Sequence, residues 1–133
     1  MPSALLKRFP QVRVLLVGDL LADHYVYGQT ERVSREAPVL IVRHEREEVK
    51  LGGGANAAAN ARALGAKVSA IGVIGRDDLG RQLAALFKSS GITLRAVTSA
   101  VTESRNRVLA RGLSTTRQQM LRIERGPMCP LPE

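Results

Sequence analysis

Leu51-Gly52-Gly53-Gly54-Ala55-Asn56-Ala57-Ala58-Ala59-Asn60-Ala61-Arg62-Ala63-Leu64-Gly65 is the stretch that decides the architecture. Its consecutive glycines break the chain, and the alanine-rich run behind them has the strongest helix-forming composition available. Gly65, directly after Leu64, supplies the stop that a helix C-terminus favours. Residues 67–75 follow as a near-continuous apolar run, the pattern of a strand buried on both faces. Asp77-Asp78 then offer a cap for a second helix reaching residue 90, with Leu79, Leu83, Leu86 and Phe87 on one stripe and Gly91 at its end. Upstream, residues 12–17 form another buried-strand run that ends at Gly18-Asp19. Strand, helix, strand, helix in that order predicts an α/β fold around a parallel sheet.

The flanking segments read differently. Residues 23–50 mix apolar and polar positions, which predicts short, half-exposed strands around Tyr25 and Tyr27 and around Val39, Ile41 and Val42, after the rigid Ala37-Pro38 step. The charges clustered in residues 44–50 read as a solvated turn. A β-like stretch begins at Val97, and residues 107–111 and 118–124 alternate Arg with Leu, Val, Met and Ile as an amphipathic hairpin turning at 112–117. The organisation expected is therefore an α/β core from residues 12–23 and 51–95, strands set apart from it in 24–50 and 96–125, and an irregular proline-rich tail at 126–133.

Composition bounds the function. The chain has 133 residues, 44% of them hydrophobic and 24% charged, which is globular rather than disordered. Aromatic bulk comes only from Phe9, Tyr25, Tyr27 and Phe87, so the core is built from Val, Leu, Ile and Ala, as suits a covered parallel sheet. The net charge of +8, carried largely by Arg, fits a nucleic-acid surface, an anionic small substrate, or a chain separated from an acidic remainder. No helix-turn-helix, zinc or aromatic-platform pattern accompanies it, which argues against nucleic acid. Cys129 is the only cysteine, excluding an internal disulfide and a multi-cysteine metal site. No apolar run approaches the ~18 residues that span a membrane. Lys7-Arg8 follow the short Ala4-Leu5-Leu6 patch instead of preceding a long one, unlike a signal peptide. A soluble, cytoplasmic protein is expected.

Gly52-Gly53-Gly54-Ala55-Asn56 carries the chemistry. At a helix start the first N–H groups lack partners and bear partial positive charge, and glycine lets a ligand reach the main chain. Asn56 adds a carboxamide that both donates and accepts. Such a surface suits a polyol or an oxyanion. A Walker phosphate loop needs Gly-Lys-Ser/Thr here and fails. Gly52, Gly54 and Ala57 do satisfy a dinucleotide fingerprint, with Asp77 roughly 20 residues on, but charged residues rather than a buried strand precede it. A glycine turn that merely permits tight packing is the plain alternative.

The same stretch resembles the first signature of PfkB sugar kinases, with Gly52, Gly53, Gly54, Asn56, Ala58, Gly65 and Gly75 at the family's spacings. Gly18-Asp19-Leu20-Leu21-Ala22-Asp23 is similar to the end of that family's first strand. Asp23-His24-Tyr25-Val26-Tyr27-Gly28, Val33-Ser34-Arg35-Glu36-Ala37-Pro38-Val39 and Thr115-Thr116-Arg117-Gln118-Gln119 look like bacterial heptose 7-phosphate kinases, often fused to an adenylyltransferase that makes ADP-heptose. Leu40 replaces a proline usual in that family, and the proline-rich end departs from it.

The resemblance implies a ribokinase-like three-layer α/β/α sandwich with a small β-lid, truncated, whose lids pair two subunits. It implies that Asp23, Asn56 and the Gly52-Gly53 main chain hold the sugar, with Arg32, Arg35, Arg105 and Arg107 as candidates to clamp a sugar phosphate. For those arginines a solvated lid face is the favoured reading, and Asp23 and Asn56 could be plain turn and helix-start residues. His24 and His44 have no evident partner for general-base work, and Asp77 reads as a helix cap. The family takes its proton with the aspartate of a Gly-Ala-Gly-Asp motif that this chain does not contain, and the ATP pocket and Mg²⁺ ligands are expected beyond Glu133. Catalysis by these residues alone is not expected. A non-catalytic sugar-binding or dimerisation module is the competing reading, and a basic nucleic-acid binder a weaker one.

Overall fold

The computed structural model describes residues 6–112 and 116–126. One turn of 3-10 helix, Phe9–Gln11, leads into strand β1 (Arg13–Val17). In chain order there follow β2 (Leu20–Val33), β3 (Leu40–Gly53), α1 (Gly54–Ala63), β4 (Lys67–Gly75), α2 (Asp78–Ser89), β5 (Thr93–Ser99), β6 (Ser104–Arg111) and β7 (Gln118–Arg125). The described strands form a parallel sheet in the order β1-β4-β5 and a mixed sheet in the order β3-β2-β6-β7.

Register decides which face of the parallel sheet is buried. Val14 pairs with Val68 and Leu16 with Ala70, which in turn pairs with Leu94. On that face α1 packs through Ala55 and Ala58, and α2 through Leu83 and Phe87. The alanines let α1 sit close to the sheet, and Phe87 fills the volume they leave. Truncating so buried a phenylalanine typically costs about 3–5 kcal/mol. The opposite face is uncovered: Leu15, Val17 and Val97 are 63%, 71% and 65% exposed. The α/β sandwich is thus present with its sheet and one helical layer, and a second helical layer is not found among the described residues.

The two expected helices and the buried strands lie where the sequence places them, but residues 20–53 differ from expectation. They form one long hairpin of two fourteen-residue strands rather than several short ones, and residues 44–50 lie within β3 instead of in a turn. The reason is cross-strand pairing of the charges. Tyr25 lies opposite Glu48 and Tyr27 opposite Arg46, so alternate charged residues of β3 cover an aromatic strip on β2. β5 carries the parallel sheet as far as Ser99, so residues 96–99 belong to the core sheet rather than to the separate strands. The turn expected at 112–117 lies partly, and the tail at 126–133 almost wholly, outside the described residues.

Candidate functional site

Where β3 hands over to α1, the chain must turn sharply. Gly53 does so at φ +55°, a left-handed value that other residues adopt only under strain. The Gly54 N–H then donates to the Asp19 carbonyl at 2.8 Å, tying the start of α1 to the segment that follows β1. On the adjacent strand Leu21 pairs with Gly52. A Cβ on Gly52 would overlap the Leu21 side chain and stand 2.8 Å from Asp23 Cγ and 3.0 Å from Asp23 Oδ2. The absence of a side chain is what allows the Asp23 carboxylate to lie against the main chain there. Asn56 is exposed in the first turn of α1, among N–H groups that the helix itself leaves unpaired. Asp23 therefore lies against Gly52, and Gly53 and Asn56 follow Gly52 in the turn and the first turn of α1.

The candidate phosphate-clamping arginines separate. Arg107, on β6, does not face solvent: its Nη1 donates to Asp23 Oδ1 at 2.5 Å, with only 18% and 16% of the two side chains exposed. That bond, more than the opposing effect of burial, raises the Arg107 pKa further above its ordinary value. Arg105 pairs with Asp23 across β2 and β6 and lies 3.7 Å from Glu124. Arg32 and Arg35 are elsewhere. They line a pocket with Ser34, Glu36 and Ile41 at the tip of the β2–β3 hairpin, roughly 30 Å along the strand from Asp23. Within one copy of the chain, Arg35 is not part of the Asp23 site.

Lys50 is a site residue that the sequence did not single out. It lies opposite Asp23 on β3, over the Tyr25 ring at 5.3 Å, and 3.2 Å from Glu48. Period-two spacing of Arg46, Glu48 and Lys50 was the available signal, masked by their density of charge. Tyr25 and Tyr27 stack with ring centres 6.2 Å apart, and Arg46 and Arg117 lie over Tyr27 at 3.8 and 4.9 Å. The Tyr27 hydroxyl donates to Glu48 at 2.5 Å. That bond lowers the Glu48 pKa and raises that of Tyr27, while Glu48 in turn raises that of Lys50. The result is a shelf of two stacked rings with cations laid over it. His24 lies on the other face of this sheet, bonded to Asn106 at 3.0 Å and Glu47 at 3.2 Å.

A cleft of about 370 Å³ opens at the carboxyl ends of β1, β4 and β5, lined by Val17, Asp19, Leu20, Gly72, Val73 and Glu103 among others. Open α/β sheets bind ligands at that end of their strands. Among the described residues no group of three or more His, Cys, Asp or Glu could hold a metal ion, and no helix is long and apolar enough to cross a membrane.

Fold and site together define an α/β protein with a second β-sheet springing from the carboxyl ends of its core strands and bearing the aspartate. Residues 12–127 match the pfkB family carbohydrate kinases, and the chain belongs to that family. It is 42% identical over 120 residues to a D-beta-D-heptose 7-phosphate kinase of Bordetella bronchiseptica, covering 89% of this chain and 37% of that protein. It is 43% identical over 119 residues to the bifunctional protein HldE of Pseudomonas aeruginosa, covering 88% of this chain and 24% of that one. The chain thus spans little more than a third, or about a quarter, of these relatives. Among solved structures it resembles a carbohydrate kinase from Agrobacterium tumefaciens, with TM-score 0.63 at 22% identity over 86% of this chain and 35% of that one. It also resembles phosphofructokinase-2 from Escherichia coli with fructose-6-phosphate, with TM-score 0.62 at 20% identity over 83% and 35% of the chains. Both likenesses concern the fold.

Proposed function

We propose that this chain is the acceptor-binding, N-terminal part of an ATP-dependent sugar kinase acting on heptose 7-phosphate at its anomeric hydroxyl, in the synthesis of ADP-heptose for lipopolysaccharide precursors. The observation that carries the reading is the Asp23 carboxylate lying against Gly52, beside the amide-rich start of α1. A carboxylate accepts hydroxyl protons and free N–H groups donate to hydroxyl oxygens, so the turn matches a polyol. The similarity to a heptose 7-phosphate kinase supplies the sugar. The sugar's phosphate falls to the exposed Lys50 and the half-buried Arg105, cations flanking Asp23 on the same sheet face.

Fixing the acceptor is much of what phosphoryl transfer asks of a protein. ATP and Mg²⁺, which the family implies, do not fit the described residues, which offer neither a carboxylate cluster nor a Gly-Ala-Gly-Asp sequence. No step through them is assigned to this chain. The second reading, a non-catalytic sugar-binding or dimerisation module, is favoured by the outer face of the mixed sheet. There Leu121 and Ile123 are half exposed beside Val26 and Val108, an apolar strip suited to a second copy of the same sheet. Calorimetric titration with heptose 7-phosphate, ribose 5-phosphate and fructose 6-phosphate tests the sugar assignment. Binding of the heptose phosphate alone, weakened but still measurable in Asp23→Asn, is expected, and equal or absent binding of all three would remove it. ADP release with heptose 7-phosphate is expected to equal that of the Asp23→Asn control, and turnover above it would show that these residues suffice for catalysis.

A further inference from the structure

We propose that Arg107 is the positioning residue of Asp23 and not a ligand of the sugar's phosphate, a proposal that rests on the reading of Asp23 as the carboxylate that accepts from the sugar. The two oxygens of Asp23 have different surroundings. Oδ1 is held by Arg107 Nη1 at 2.5 Å, whereas Oδ2 faces Gly52 and makes no hydrogen bond to a described residue. Arg107 fixes one oxygen, and the other stays available for a hydroxyl. The guanidinium is itself restrained, since its carbon lies 5.2 Å from the centre of the Tyr25 ring. The carboxylate is thereby held by Arg107 at Oδ1 and lies close against Gly52.

Charge and burial argue against a phosphate on Arg107. A largely buried guanidinium already joined to a carboxylate would have to give up that partner to receive an anion, stranding Asp23 as an unpaired buried charge. Lys50 and Arg105 are more exposed than Arg107 on the same face, Lys50 beside the half-buried Glu48 and Arg105 beside the exposed Glu124. An anion reaches them without dismantling the site. An arginine on a lid strand reads from sequence as a phosphate clamp, but this one spends its charge holding another side chain in place.

Calorimetric titration of this protein with heptose 7-phosphate and with unphosphorylated heptose separates the two roles. Arg107→Gln is expected to weaken both ligands by the same factor, about tenfold, the worth of one hydrogen bond to a charged group. In an Asp23→Asn background the same substitution is expected to change neither affinity further. Arg107→Lys, which keeps the charge but not the planar fork, is expected to melt close to the parent and recover only part of the lost affinity. If Arg107→Gln does not fold, equal weakening of both ligands by Arg107→Lys carries the test. A loss confined to the phosphorylated sugar, or losses that add in the double variant, would overturn the proposal. Unchanged binding in Asp23→Asn alone would instead overturn the sugar-site reading, and this inference with it.

Discussion

The Thr102 hydroxyl donates to Asp77 Oδ1 at 2.5 Å while the Thr102 main-chain N–H donates to Oδ2 at 3.1 Å. Asp77 also accepts from the Gly80 N–H at 3.0 Å, so one carboxylate caps α2 and anchors the segment that enters β6. Thr102 is fully buried, and its hydroxyl accepts from the Gly75 N–H at 3.0 Å. Replacing it by valine keeps the shape but orphans a buried N–H and removes a charged hydrogen bond. Thr102→Val is expected to lower stability by about 2–3 kcal/mol in urea melts. A loss below 1 kcal/mol would show that the anchor matters little.

The same carboxylate gives a pH prediction. Burial alone would raise the Asp77 pKa, but the bonds from the Thr102 hydroxyl, the Thr102 N–H and the Gly80 N–H outweigh it and hold the pKa below the ordinary 3.8. A carboxyl depressed in the folded state adds stability that is complete above its unfolded pKa and is lost as the pH falls through its folded one. Asn is itself a good helix cap, so Asp77→Asn isolates the charge. The stability gap between parent and variant is expected to be constant from about pH 7 to 5 and to close only as the pH falls below the ordinary 3.8. Parallel acid limbs in thermal melts would contradict this.

Gly52 and Gly18 make a matched pair of substitutions. A Cβ at Gly52 meets Leu21 and the Asp23 carboxyl, whereas one at Gly18 meets nothing within 4 Å. Gly52→Ala must push Asp23 from its seat, at an overpacking cost of about 1–3 kcal/mol. Its affinity for heptose 7-phosphate is expected to fall at least about tenfold, because misplacing a binding group by a fraction of an ångström is enough. Gly18→Ala is expected to bind and melt as the parent does. Equal behaviour of the two variants would separate Asp23 from the ligand.

The sequence made the α/β core legible because each of its signals is local. Ala55 to Ala63 has helix propensity, Asp77 a cap position, and residues 67–75 an unbroken apolar run. The turn at Gly52 to Gly54 was legible for the same reason. The lid was harder, since its strands are stabilised by partners distant in sequence. Lys50, Glu48 and Arg46 look like a solvated turn until Tyr25 and Tyr27 are seen opposite them. Arg107 and Asp23 are 84 residues apart, and no spacing rule joins them. Arg35 shows the converse: a residue type suited to phosphate, placed by a long hairpin far from the carboxylate it was grouped with.

Leu15, Val17 and Val97 project from the uncovered face of the parallel sheet. Contiguous apolar surface of this kind promotes association. Since these side chains bury little within the chain, Val17→Lys with Val97→Lys is expected to raise the soluble fraction on expression without lowering the melting temperature by more than a few degrees. A sharp monomeric gel-filtration peak with cooperative melting for the unmodified protein would remove the premise.

The outer face of the mixed sheet makes a separate prediction. Leu121 lies opposite Val108, which lies opposite Val26, and Ile123 extends the strip, so one apolar band crosses β2, β6 and β7 away from Asp23. The described partners of β3 and β7 lie on one side only, leaving strand edges of the kind that pair with another copy. If two lids meet through this band, Leu121→Glu places two charges in the contact. The variant is expected to shift from dimer to monomer in analytical ultracentrifugation with its heptose 7-phosphate affinity kept, because Leu121 and Asp23 are on opposite faces. Val17→Lys with Val97→Lys acts on the other sheet and is expected to leave that dimer intact. A dimer that survives Leu121→Glu but not the lysine pair would move the subunit contact from the lid to the open core face.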